Sequence, residues 1–441
     1  MSKKLNIESL VPVFSDGCKT KDKWSIGTEH EKFGFSNKDL KPIKFNSIEK
    51  IFELLSENYN WEKVLENNKV ISLKKNGSSI TLEPGGQLEL SGAPLKNLFQ
   101  TCSEVNTHKD ELNNVCASLE INFMGMGVLP KWDLSNIEIM PKKRYEIMSK
   151  YMPKVGEHGL DMMMRTTTIQ ANFDFSSEED MKKKMRVAQS IQPCIIAMYA
   201  NSPFINGKPT KFQSYRSYIW TKTDPNRTGL LKFIYEDDFS FERYVNYLLD
   251  VPMYFIIRDG KYVDFTDKTF RQYLDNSGPE FLASLDDWKV HLTTVFPEVR
   301  LKSYIEVRGA DGGPWSRVCA LPAFWTGILY DEEILNIIWD ITRHWKFSDI
   351  ENFYNDVRTN GLNSKNPDGQ TLNKFIEKIL KYSKIGLSKR NICKGNDNES
   401  IFLNPLIEIL KAGESPAKYW KHQYFNHWSK NIDMIYETNY F

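Results

Sequence analysis

Several short stretches of the chain alternate between apolar and polar side chains, the period expected of strands that bury one face. Residues 24–35, "WSIGTEHEKFGF", carry Glu29 and Glu31 two positions apart, on a side where a core-packing strand would show apolar residues. In residues 79–92, "SITLEPGGQLELSG", Leu88 and Leu90 point one way and Gln87, Glu89 and Ser91 the other. Residues 167–175 set an apolar row (Ile169, Ala171, Phe173, Phe175) against a polar one (Thr168, Gln170, Asn172, Asp174). In residues 302–309, Ile305 and Val307 oppose Tyr304, Glu306 and Arg308. Residues 251–265 predict a hairpin that turns at Asp259–Gly260.

Helical periodicity fills the intervals. It is present over residues 97–120 and again from Asp180, after a cap at Ser176/Ser177. In residues 331–345 it places Ile334, Ile338, Ile341 and Trp345 on one stripe. Residues 371–387 repeat the pattern, Gly413 closes the helix of residues 405–412, and Ser415–Pro416 opens another as N-cap and first turn. Residues 363–370, "NSKNPDGQ", read as a loop, and no internal repeat is visible. Strands with one polar face, separated by unequal helical stretches, predict an α+β fold around an antiparallel sheet. Length alone suggests two or three domains, and residues 363–370 fall at the edge of a mainly helical region at about 331–441.

The polar faces carry the chemistry. Side chains two apart on a strand share a side, which pairs Glu29 with Glu31, Gln170 with Asn172, and Glu306 with Arg308. Glu83 and Glu89 belong to one strand region interrupted by Pro84, Gly85 and Gly86. If these faces line one hollow, four or five carboxylates converge there, and like charges in such proximity require cations. Oxygen ligands without a Cys or His cluster favour Mg²⁺, or Mn²⁺, over zinc. The plain alternative is a solvated polar face. Against it stand Asn and Asp in mid-strand and the flanking Gly27, Gly34, Gly85, Gly86 and Gly309, as where a ligand approaches backbone. Arg144, Arg165 and Arg216 are candidates to grip carboxylate or phosphate. His30 falls on the opposite face and reads as structural, and Met162, Met163 and Met164 read as core. There is no phosphate-binding glycine loop of the G-x-x-x-x-G-K-[ST] or G-x-G-x-x-G type, so a nucleotide would be held by metals and arginines. The glycine-rich residues 309–315 fit either a ligand-wrapping loop or a plain turn.

Composition narrows the classes. With 441 residues and 41% hydrophobic content the chain can bury a large core, and 58 basic against 57 acidic residues give no reason to expect nucleic acid. The densest basic run, "KKKMR" at 182–186, follows "SSEED" and reads as the polar face of a capped helix. No apolar run reaches the ~20 residues of a membrane helix, and the start lacks a secretory apolar core. The expectation is a cytoplasmic protein without a membrane partner. Six cysteines (Cys18, Cys102, Cys116, Cys194, Cys319, Cys393) form no C-x-x-C, so zinc-ribbon and thioredoxin-like motifs are not indicated.

The blocks "GTEHEKFGF", "TLEPGGQLELSGAP", "MGMGVLPKW", "MPKKRYEIMSKYMPKVG", "GLDMMMRTTTIQANFDF" and "FPEVRLKSYIEVRGADGGPW" together resemble glutamate–cysteine ligase of the plant and proteobacterial type, from about Trp24 to Tyr330 and more loosely beyond. The resemblance implies a single catalytic domain over residues 1–441, built on a curved antiparallel sheet like that of glutamine synthetase and the guanido kinases, with Mg²⁺ and ATP on its concave face. It implies ATP-dependent joining of the γ-carboxylate of L-glutamate to the amine of L-cysteine, the first step of glutathione synthesis, by a monomer or homodimer. A ligase using another acceptor amine, or a non-catalytic sensor of nucleotide or amino acid, are the alternatives. Carried over, Glu29, Glu31, Glu83, Glu89 and Glu306 are metal ligands, Glu31 and Arg308 act in catalysis, and Gln170, Asn172 and Arg308 face the nucleotide. Arg144 and Arg216 grip the glutamate carboxylates, with Arg165 in the same pocket and Trp220 as its wall. Cys102 and Cys319 match a redox-sensitive disulfide of the plant enzymes, two reduced thiols being the other reading. Lys143 stands where plant sequences have glycine, and the plant transit peptide has no counterpart.

Overall fold

The computed structural model describes residues 5–276 and 282–438. Its strands are β1 (Ile26–Ser36), β2 (Glu62–Glu66), β3 (Lys69–Lys75), β4 (Ser78–Leu82), β5 (Leu88–Ser91), β6 (Ile121–Met124), β7 (Thr168–Phe173), β8 (Phe255–Arg258), β9 (Lys261–Asp264), β10 (Val299–Leu301) and β11 (Ile305–Asp311), with several two-residue strands besides. The helices that matter here are α1 (Phe45–Tyr59), α2 (Leu98–Ala117), α3 (Lys143–Val155), α4 (Gly159–Arg165), α5 (Glu178–Tyr199), α6 (Tyr215–Trp220), α7 (Ala320–Leu329), α8 (Glu332–Thr342), α9 (Phe347–Asn360), α10 (Leu372–Arg390), α11 (Asn404–Ala412) and α12 (Pro416–Asn426).

Among the described residues nine strands form one sheet in the order β10-β11-β7-β1-β5-β4-β3-β2, with β6 paired to the far end of β1. Every pairing in it is antiparallel. The alternation predicted from sequence is realised strand by strand. Ile169, Ala171 and Phe173 of β7, Ile305 and Val307 of β11, and Leu88 and Leu90 of β5 are all buried in hydrophobic clusters. Behind β7 and β11 the apolar face packs on α5 and α7, and α10 lies on α7. Apolar residues on both sides of position 331 share that core. The β8–β9 hairpin turns at Asp259–Gly260, both with positive φ (48° and 74°), but forms its own two-stranded sheet.

The caps follow the predicted chemistry. Ser177 caps α5 by accepting from the Asp180 N–H, Gly413 closes α11 at φ 67°, and Ser415 caps α12 with Pro416 in the first turn. Lys184 departs from the expected solvated face of α5. It is fully buried, pairs with Asp180 at 3.0 Å, and lies 3.6 Å from the centre of the Trp24 ring. Strands β2, β3, β6 and β10 escape the sequence pattern. β2 lies at the sheet edge, β2 and β3 alternate incompletely, and β10 has only three residues.

Candidate active site

Antiparallel register sets the geometry. Glu31 lies directly across from Glu89, Glu29 across from Gln170, and Asn172 across from Glu306. One sheet face therefore gathers side chains from residues 29 to 308. The β4–β5 connection adds Glu83. It is a tight turn in which the Gly86 N–H donates to the Glu83 carbonyl (2.9 Å), and Gly86 has φ 85°. Gly85 lies so close to the backbone of Met164 that a side chain would overlap it. Gln87 locks this turn to the end of α4: its Nε2 donates to the carbonyls of Met163 (3.2 Å) and Thr166 (2.9 Å).

Glu31, Glu83 and Glu89 line one cavity of about 280 Å³ together with Lys142, Arg144, Arg216 and Arg308. Tyr145, Met148, Met162, Met163, Trp220 and Phe296 supply apolar surface to the same walls. Glu31 accepts from the Thr168 backbone N–H (3.0 Å), and Glu89 accepts from the Thr81 hydroxyl (2.7 Å). Burial and the neighbouring Glu83 push the Glu31 carboxyl up to about 8. Burial, with Glu83, Glu29 and Glu31, raises Glu89 as well. Among the described residues no three acidic, histidine or cysteine side chains stand as a finished metal site. The three glutamates share a hollow rather than a coordination sphere. Their donor chemistry, oxygen only and mutually repelling, is what a hard divalent cation relieves.

Glu306 is treated differently. It is fully buried and bonded to Arg300 (2.6 Å), Arg308 (2.6 Å) and Lys302 (3.3 Å). Burial alone would raise its pKa, but these three charges hold it well below the usual carboxylate range. Its charge is matched by side chains, and the expectation that it completes a metal shell finds no support in these contacts. Arg308 also donates to Gln170 Oε1, and Asn172 Nδ2 donates to Glu29 Oε1 (2.9 Å). Glu29, Gln170 and Asn172 thus sit beside the cavity and hold its neighbours.

The arginines separate. Arg216, Arg144 and Trp220 all line the cavity. Arg165 does not reach it: its Nε donates to Asp161 (2.6 Å) and its Nη1 to Asn206 (2.6 Å), and it is spent on that buried contact. This corrects its placement in the glutamate pocket. Lys143 is exposed and pairs with Glu146 at 2.7 Å. Met162 and Met163 are buried as expected but also line the cavity. His30 lies on the opposite sheet face, buried, its ring centre 5.7 Å from that of His108. Cys102 and Cys319 are joined as a disulfide between α2 and the start of α7.

Sequence reasoning missed Lys142 and Tyr145, which both donate to the Leu82 carbonyl at 2.7 Å. Burial lowers Lys142 to about 8 against the pull of Glu83. Their signal was adjacency to Arg144 in a helix-opening block.

The family model for glutamate–cysteine ligase family 2 matches residues 25–438. The chain belongs to this family. Among its relatives are the chloroplastic glutamate–cysteine ligases of Brassica juncea (50% identical, covering 98% of this chain and 84% of the relative) and Arabidopsis thaliana (50%, 98% and 82%). Glutamate–cysteine ligase B of rice, also chloroplastic, is 49% identical over 99% of this chain and 88% of its own. These names overturn the expectation of a cytoplasmic protein. The crystal structure of a glutamate–cysteine ligase from Francisella tularensis in complex with AMP superposes with a TM-score of 0.59 over 94% of this chain and 87% of that one, at 13% identity, and so shares the fold. Among the described residues no helix is long and apolar enough to cross a membrane.

Proposed function

We propose that this member of the glutamate–cysteine ligase family joins the γ-carboxylate of L-glutamate to the amine of L-cysteine, converting ATP to ADP and phosphate, as the first step of glutathione synthesis. The observation that carries this reading is one cavity lined by three glutamates and by Lys142, Arg144, Arg216 and Arg308. Arg144 and Arg216 are assigned to the glutamate carboxylates, Trp220 to the apolar wall beside them, and Arg308 to nucleotide phosphate. Gln170 holds Arg308 in place from β7, and Asn172 holds Glu29. Glu31, Glu83 and Glu89, with Glu29 at their flank, would hold Mg²⁺, or Mn²⁺. The ion would supply positive charge at the phosphate oxygens.

Held in line, the γ-carboxylate attacks the γ-phosphorus of ATP, the bond to ADP breaks, and γ-glutamyl phosphate results. The cysteine amine then attacks the acyl carbon and phosphate leaves. Met148, Met162, Trp220 and Phe296 give the cavity an apolar wall, and exclusion of water during the reaction would protect the acyl phosphate from hydrolysis. No protein nucleophile enters either step.

The test is ADP release by the pure protein with glutamate and Mg²⁺, with and without cysteine. Cysteine-dependent turnover, lost in Glu31→Gln, is the expected result. Turnover equal in Glu31→Gln and the parent protein would remove that carboxylate from the chemistry. Competition between cysteine and other small amines in the same assay separates this function from a ligase with a different acceptor. Gel filtration distinguishes monomer from homodimer.

A further inference from the structure

Helix α6 carries both Arg216 and Trp220, so its placement sets two walls of the cavity. What fixes it lies outside the cavity. The Arg216 backbone N–H donates to the Ser202 hydroxyl (3.0 Å), and that hydroxyl donates to Asp311 Oδ2 (2.6 Å). Ser214, the N-cap of α6, accepts from the Ser217 N–H (3.1 Å) and donates to Asp311 Oδ1 (2.7 Å). Asp311 Oδ2 also accepts from the Asn201 N–H (2.9 Å). One carboxylate thus gathers the first turn of α6 through two hydroxyls. Asp311 ends β11, the strand that carries Arg308, and Arg216 Nη2 donates to the Arg308 carbonyl (3.0 Å). The two arginines are therefore tied to each other and to the same strand.

The site is built around this carboxylate. Asp311 is 1% exposed, and a side chain at Gly127 would overlap it. Among charged neighbours, Arg216 is the foremost that counteracts the effect of burial on Asp311. A buried carboxylate with three hydrogen bonds is costly to place without a purpose, because its bonds must offset desolvation.

We infer that Asp311 is a positioning residue for Arg216: through Ser202 and Ser214 it holds α6 so that the guanidinium meets the glutamate carboxylate. This rests on the reading of Arg216 as a glutamate-binding residue. Asp311 touches no substrate in this scheme, so its loss acts on glutamate binding more than on nucleotide binding.

The experiment measures ADP release by the full chain while glutamate, cysteine and ATP are varied in turn. Asp311→Asn raises the glutamate KM by about tenfold or more, in the range known for residues that orient a binding group. The ATP KM stays within about threefold. Ser202→Ala cuts one arm of the relay, keeps the carboxylate and leaves it the Ser214 and Asn201 donors, and raises the glutamate KM in the same sense, so the inference stays decidable if Asp311→Asn does not fold. Arg216→Lys, run alongside, tests the underlying reading. An unchanged glutamate KM in Arg216→Lys removes Arg216 from the glutamate site, and the inference with it. If Arg216→Lys raises that KM but Ser202→Ala and a folded Asp311→Asn do not, the positioning role alone is overturned. A parallel rise of both the glutamate and ATP KM values, with lowered thermal stability, marks Asp311 as a merely structural residue and also overturns it. Addition of Asp311→Asn to Arg216→Lys produces little further rise if the two act together, whereas fully multiplicative effects count against the coupling.

Discussion

Glu306 and Glu89 project from the same face of one sheet, with β7 and β1 between their strands. Glu306 is enclosed by Arg300, Lys302 and Arg308 and has lost all contact with solvent. Glu89 keeps one hydroxyl partner, Thr81, and faces Glu31 across the ladder with Glu83 nearby. The first is a completed ionic knot. The second is a hollow of crowded carboxyls whose burial and mutual repulsion raise Glu31 and Glu89 above the usual carboxylate range. A fold selected for stability alone would have neutralised both, so the difference marks where a ligand with positive charge is expected and where the scaffold is closed to one.

Breaking the knot should have the largest effect. Glu306→Gln leaves buried cations without their shared anion, which costs about 3–5 kcal/mol by the usual behaviour of such pairs and is read by urea denaturation. A stability equal to that of the parent would dissolve the contrast. Glu89→Gln should do the reverse. Metal-free stability stays level or rises by up to about 1 kcal/mol as like charges are relieved. Turnover meanwhile falls about 100-fold, because a cation-holding group is gone.

Protons and metal should then compete for the hollow. In the metal-free protein Glu31 titrates near 8 when folded, well above an ordinary carboxyl. The folded state holds the extra proton across that window, so stability falls as pH rises from about 4.5 to about 8. Mg²⁺ should flatten the slope and raise the melting temperature by roughly 2 °C at saturating concentration, and a Glu83→Gln/Glu89→Gln double variant should not respond. Melting curves with and without EDTA decide it. The smallest effect on catalysis belongs to Arg165→Gln. Loss of its pairing with Asp161 lowers stability by about 1–3 kcal/mol, while the glutamate KM stays within about twofold. A large rise in that KM would return Arg165 to the pocket.

The sheet was legible where strands bury one face and expose chemistry on the other, as in β1, β7 and β11. It was illegible at β2, an edge strand without a buried position, and at β3, whose buried positions do not alternate. Arg165 and Arg216 are the same residue type in similar local settings, and only the fold separates them. A clue lay in Asp161, four positions before Arg165 on one helix and therefore its natural partner. Strand parity put Glu306 on the polar face and the resemblance made it a ligand, but neither reports what stands against it. Arg300 comes from the neighbouring strand β10, too short to announce itself. Asp311 was hidden in a glycine-rich run whose turn chemistry drew the eye from its one carboxylate.

The order of strands in the sheet also bears on how the molecule comes into being. β1, near the amino end, is flanked by β5 on one edge and by β7 and then β11 on the other. On a ribosome, β1 and β5 can pair early and bring Glu31 and Glu89 together while the nascent chain is short. Lys142 and Arg144 follow soon after, whereas Arg216, Arg308 and the Asp311 anchor emerge only later, so during synthesis the acidic side of the hollow stands before its basic side is complete. Divalent cations in the surroundings are then a natural companion for the half-made enzyme, and their depletion during translation should lower the yield of folded protein more than their removal afterwards.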